Sequence, residues 1–140
     1  MIVLDTNVVS EVIRSDPNLT VIGWLDRQPS NSLYLTATSL AELLVGIAYL
    51  PPGRRRTSLH TDMIELVDAL FGNRVLAFDG GAAVRYADIV STARSQGRTI
   101  LVADGQIAAI ASANGFSVAT RDVTPFRAAG VEVINPWETA

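Results

Sequence analysis

Short apolar runs alternate with stretches of helical periodicity along this chain. Ile2-Val3-Leu4 is apolar at every position and ends at Asp5, the pattern of a central parallel strand buried on both faces. Helical character follows over Asn7 to Val12 and breaks at Asp16-Pro17. Pro17 suits the first turn of a second helix reaching about Gln28, with Val21, Ile22 and Leu25 on one face. Turn residues Pro29-Ser30-Asn31 lead into a second strand, Leu33 to Thr36. Leu40, Leu43, Leu44 and Ile47 lie at helical spacing within a helix from Ser39 to Tyr49, which Pro51-Pro52-Gly53 stops. The next helix reaches Phe71 and ends at Gly72-Asn73. Val75 to Phe78 reads as a third strand, and Asp79 caps a helix running to Ser95 and ending at Gly97.

Ile100 to Ala113 supports two readings: a strand at Ile100-Leu101-Val102, or a buried helix marked by Ile107, Ala108, Ile110 and Ala111. Phe116 to Thr120 and Val131 to Ile134 are the last two strands. The alternation predicts an α/β fold of three layers, with a five-stranded, mostly parallel sheet, helices on both faces and right-handed crossovers. With 140 residues and no linker or repeat, one domain over 1–140 is expected.

Composition narrows the chemistry. There is no cysteine, which excludes disulfides, thiolate metal sites and cysteine nucleophiles. His60 is the single histidine and reads as a surface residue. All eleven basic residues are arginine, so Schiff-base lysines and the Walker A lysine are excluded. The net charge of −3 gives no support to non-specific nucleic-acid binding. The N-terminus, with Asp5 and Glu11 and no early positive charge, does not read as a signal peptide, and the longest uncharged run, Gly105 to Thr120, is too short and polar to span a bilayer. A soluble cytoplasmic protein without a membrane partner is expected.

What remains for chemistry is carboxylate. Asp5, Asp79 and Asp122 follow strands, where ligands bind in open α/β sheets. Glu42 and Asp104 lie in otherwise apolar helical sequence with no basic residue within four positions, and a charge there needs a partner or a cation. Converging carboxylates without lysine or histidine suit a hard cation with oxygen ligands, Mg²⁺ or Mn²⁺. Plainer roles stand beside these. Glu42 is three residues after Ser39, the spacing of a capping box. Asp104 suits a helix N-terminus, Asp5 suits a cap for the first helix, and Asp79 reads chiefly as a cap. Arg54-Arg55-Arg56 reads first as a solvated segment, and Trp24 and Trp137 as packing residues.

At these positions the chain resembles the PIN-domain ribonucleases. Ile2-Val3-Leu4-Asp5-Thr6-Asn7 is similar to their opening motif, Thr38-Ser39-Leu40-Ala41-Glu42-Leu43 to the second acidic motif, Ala103-Asp104-Gly105-Gln106-Ile107 to the third and Val118-Ala119-Thr120-Arg121-Asp122 to the fourth. The segment Phe126 to Glu138 is similar to the FitB-like branch of VapC toxins. Many members carry Thr-Arg-Asn with an aspartate three residues after the asparagine. Here the asparagine position is Asp122 and the later one is Pro125.

The resemblance implies a PIN fold and metal-dependent hydrolysis of RNA. In that reading Asp5, Glu42, Asp104 and Asp122 hold Mg²⁺, with Mn²⁺ as a substitute, while Thr6 and Ser39 orient them. Arg121 and Arg54, Arg55 and Arg56 contact RNA. The resemblance also implies a homodimeric toxin, silenced by an antitoxin of the VapB or FitA type through which operator DNA is bound. Two other α/β readings fail on residues: a phospho-acceptor receiver domain needs a lysine, and an aspartate-nucleophile phosphatase needs a second aspartate at position 7, which is Asn7. A catalytically silent PIN-like binding module is the remaining alternative, and metal binding separates it from an enzyme.

Overall fold

The computed structural model describes residues 1–139. It contains five parallel strands: β1 (Ile2–Leu4), β2 (Leu33–Thr36), β3 (Val75–Leu76), β4 (Ser117–Ala119) and β5 (Val133–Ile134). The helices are α1 (Thr6–Val12), α2 (Leu19–Asp26), α3 (Ala37–Ala48), α4 (Arg54–Phe71), α5 (Gly80–Ser95), α6 (Val102–Asn114) and α7 (Val123–Ala128), with one 3₁₀ turn at Ser30–Ser32 before β2. Strand order is β3-β2-β1-β4-β5. The chain therefore starts in the centre, works outward to one edge, returns, and works outward to the other. The switch of direction falls between β1 and β4, which opens a crevice at their carboxyl ends.

Strand alternation feeds two cores. Leu4, Leu33, Leu35 and Ala119 point to the face covered by α1 to α4, where they pack with Val8, Val21, Trp24, Leu43, Met63 and Phe71. Val3 and Val118 point to the other face, against Ile89 of α5, Ile107 and Ala108 of α6 and Phe126 of α7. This is the predicted three-layer arrangement. A strand buried on both faces has no polar side to display, which is why β1 reads as an unbroken apolar run.

Several boundaries differ from expectation for local reasons. Asn18, not Pro17, starts α2: its side chain accepts from the N–H groups of Thr20 and Val21 at 2.9 and 3.3 Å. β3 stops at Leu76, and Phe78 turns outward to meet the Tyr86 ring edge-on, with centroids 5.8 Å apart. At Ile100 to Val102 the helical reading holds: Ile100 is buried ahead of α6, which begins at Val102. α6 ends at Gly115, where φ of +70° is easily reached only without a Cβ. The six-residue α7 is too short to show a period, and its Pro125 sits in the first turn, where no intrahelical N–H is lost.

The tightest helix contact is between α5 and α6. A Cβ on Gly105 would stand 2.9 Å from Tyr86 Cε2, so the glycine sets how closely α6 approaches. Gly105→Ala is expected to destabilise the protein by about 1–2 kcal/mol, overpacking outweighing the better helix propensity of alanine. Urea denaturation measures this, and a variant as stable as the parent would show that the Tyr86 ring yields freely.

Candidate active site

Asp5 leaves β1 at the crevice. Its backbone N–H donates to the Ala119 carbonyl at 2.9 Å, continuing the β1–β4 ladder, and its side chain folds back to cap α1 by accepting from the Thr6 N–H at 2.8 Å. The other carboxylate oxygen accepts from the Thr120 hydroxyl at 2.7 Å. Thr120 is fully buried and accepts in turn from the Asn7 side-chain amide at 3.3 Å and the Asp122 N–H at 3.0 Å. Its single hydroxyl proton is thereby committed to Asp5. Asn7 completes the brace by accepting from the Arg121 N–H at 3.3 Å. The expected cap role of Asp5 and its place at the crevice therefore coexist.

Glu42 projects from the second turn of α3. The cap of α3 is Thr36, whose hydroxyl accepts from the Ser39 N–H at 3.0 Å, so the capping-box role for Glu42 is corrected: Ser39 lies inside the helix. Instead Glu42 accepts from the Thr6 hydroxyl at 2.9 Å. Ser39 does not take the parallel part. It is fully buried, its Oγ has no hydrogen-bond partner, and it does not line the crevice. Asp104 stands in the first turn of α6, where the helix dipole favours it, and it also faces the crevice. α3 and α6 are tied by a hydrogen bond from the Thr38 hydroxyl to Gln106 Oε1 at 3.0 Å, which fixes Glu42 relative to Asp104.

Asp5, Glu42, Asp104 and Asp122 thus line one cleft of about 470 Å³, together with Ser10, Glu11, Arg14, Arg121 and Trp137. Burial pushes the Asp5 carboxyl above the usual range, against the hydrogen bonds from Thr120 and Thr6, and the charges of Glu42 and Asp122 push it the same way. Asp104 is raised to about 6, by burial first and then by Asp5, Asp122 and Glu42. The four acids press on one another, and no arginine neutralises them: the one ion pair among the described residues joins Arg14 to Glu11. An ion pair between Arg121 and Asp122 is absent, because the Arg121 guanidinium lies over the Trp137 ring, 5.2 Å from its centroid.

Other candidates lie elsewhere. Asp79 caps α5 by accepting from the Ala82 N–H at 3.0 Å and does not line the cleft. Arg54, Arg55 and Arg56 open α4 rather than forming a loop, and Arg56 lines a separate groove with Ile47 and His60. Sequence reading missed Thr120 and the buried Glu11. Glu11 also sits in an apolar helical stretch, but Arg14 three residues on offered it a local partner. Its oxygens are committed, one to the Asn18 N–H at 2.7 Å and one to Arg14 at 3.2 Å, and the Asn18 bond, followed by the arginine charges, holds its carboxyl below the usual range.

Comparison with known proteins places this geometry. The model of the PIN domain matches residues 2–131. The chain is similar to the VapC ribonuclease Y4jK of Sinorhizobium fredii, 50% identical over 141 residues and covering the whole of both chains. It is 45% identical to Toxin FitB of Neisseria gonorrhoeae over 98% of this chain and 99% of that protein. Among solved structures, FitAB bound to an IR36 DNA fragment contains a chain that matches with a TM-score of 0.93 and 44% identity, covering 100% of this chain and 98% of that one. The family match over residues 2–131 and the full-length similarity agree: this chain belongs to the PIN-domain family.

Proposed function

We propose that this chain is a metal-dependent endoribonuclease and the toxin of a toxin–antitoxin pair. The observation that carries the proposal is the convergence of four carboxylates, unneutralised by any arginine, on the cleft between β1 and β4. The names of the relatives, a VapC ribonuclease and a toxin, support an RNA substrate, and the FitAB–DNA structure supports an antitoxin partner that carries the DNA contact.

The donor set fits Mg²⁺ or Mn²⁺. It is all oxygen, it is crowded with like charge, and the raised proton affinity of Asp104 shows how poorly the site tolerates its own charge without a cation. Among the described residues no three such groups stand close enough to grip an ion, and Glu42 and Asp122 line the cleft as exposed side chains. Asp5 and Asp104 would hold the cation, with Glu42 and Asp122 completing its shell. A bound divalent cation lowers the pKa of a coordinated water and offsets charge on the phosphate and the leaving oxygen. The chain supplies the rest. Thr120 and the Thr6 N–H hold both oxygens of Asp5 in place, and Thr6 aims Glu42. The Thr38–Gln106 bond keeps the two helices in register.

A silent binding module is the second reading, favoured only by the open spacing of the acids. The two separate on one titration. RNA cleavage is expected to require Mg²⁺ or Mn²⁺ and to stop in excess EDTA, with Mn²⁺ uptake measurable by calorimetry. Failure of the purified chain to bind Mn²⁺ would favour the module. In cells, expression of the chain is expected to arrest growth, relieved by the protein encoded in a neighbouring reading frame.

Graded losses are expected from the acids. Asp5→Asn abolishes cleavage, whereas Asp122→Asn, at an exposed position, raises the Mn²⁺ concentration for half-maximal rate and leaves the fold intact. An Asp122→Asn titration curve lying on the wild-type curve would leave a three-carboxylate site.

The burial of Asp104, together with the neighbouring acids, also gives a pH signature. The carboxyl of Asp104 binds its proton more tightly folded than unfolded, so its ionisation opposes folding. That cost is fully present above pH about 6 and is relieved as the pH falls toward the ordinary aspartate value near 4. Metal-free Asp104→Asn is therefore expected to melt above the parent at pH 7.5, with the gain shrinking below pH 6. A gain independent of pH would assign the effect to packing.

A further inference from the structure

The cleft has a second, cationic part that the acids do not use. Arg14 follows α1, and its guanidinium is held at one edge by Glu11, 3.2 Å away, while the side chain remains 60% exposed. Glu11 is itself 4% exposed and anchored by the Asn18 N–H, so Arg14 is tethered to a fixed buried charge rather than to a mobile surface partner. Arg121 follows β4 and its guanidinium lies over the Trp137 ring, 5.2 Å from the centroid. Two guanidinium groups, immobilised by different means, thus line the same cleft as the four carboxylates, each with N–H groups left over. A tethered, half-exposed guanidinium fits a phosphate bidentately with little further ordering cost.

We propose that Arg14 and Arg121 form a phosphate-binding subsite, which takes the backbone phosphate of the nucleotide next to the bond being cleaved. This rests on the ribonuclease reading and adds how an acidic protein holds RNA. The arginine end grips the strand and the carboxylate end does the hydrolysis.

The probe is a fluorescein-labelled single-stranded oligoribonucleotide, with binding followed by anisotropy in Ca²⁺ over a series of salt concentrations and cleavage followed separately in Mn²⁺. Arg14→Gln and Arg121→Gln are each expected to weaken binding roughly three- to tenfold and to reduce the slope of log K against log salt by about 0.7, the value for one single-strand phosphate contact. Neither weakens Mn²⁺ binding, and both act on KM more than on kcat. Arg98→Gln, in a separate groove beside Thr124 and Pro125, changes neither binding nor slope. Removing Arg14 leaves Glu11 buried and unpaired, so Arg14→Lys, which keeps the charge but not the fork, is measured beside it and is expected to lie between parent and Arg14→Gln. Arg121 has no carboxylate partner and tests the proposal without that risk.

A folded Arg121→Gln that binds RNA like the parent, with the same salt slope, overturns the subsite. Continued Mn²⁺-dependent cleavage by the parent would then leave the ribonuclease reading standing. Arginine-dependent binding without any cleavage keeps the two arginines as a phosphate contact but removes the ribonuclease reading, and with it the place of that phosphate beside a cleaved bond. Failure of the parent to bind RNA overturns the proposal, as does an arginine effect confined to the complex with the antitoxin.

Discussion

The hydrogen bond from Thr120 to Asp5 is the contact on which the site depends. It joins the carboxyl ends of β1 and β4, the two strands between which the sheet reverses direction. A carboxylate that is 5% exposed would be costly alone. Here the Thr6 N–H and the Thr120 hydroxyl satisfy it, and the same hydroxyl gathers Asn7 and the Asp122 backbone. One buried side chain thus sets the positions of the first and fourth acidic motifs together. Helix packing sets the other two: Thr6 reaches Glu42, and Gln106 beside Asp104 meets Thr38.

This architecture uses stability for chemistry. Four acids at one sheet edge repel one another, and the fold holds them there through two apolar cores. The conflict is local, and no ion pair among the described residues relieves it. The arginines that stand nearby are diverted, one to Glu11 and one to Trp137, which keeps them from quenching the acids.

Much of this was legible in the sequence because the constraints are local. A strand buried on both faces must be apolar throughout, so β1 and the acid at its end are visible without a structure. Asp104 and Glu42 stand out as charges within apolar helical sequence. Other parts depend on contacts distant in the chain. Thr120 reads as an ordinary strand residue until β4 is placed beside β1. Ser39 matched a motif and a capping spacing, yet the true cap is Thr36, three residues earlier, and Ser39 Oγ ends up buried without a partner. Arg14 gave no signal, because its meaning comes from the cleft it shares. The six residues of α7 were invisible to periodicity for want of length.

The strand order has a consequence for how the protein is made. β1 is made well before its partner β4, which begins at Ser117, and the bond from Thr120 closes over a separation of 115 residues. Pairing at such range is slow compared with local helix formation, and until it occurs the central strand has one open edge. A nascent chain lacking its last quarter therefore has Asp5 and Glu42 but neither the brace nor Asp122. Its cleft comes into being only once β4 and Thr120 have been made and paired, so a product that stops short of them carries acids without the site.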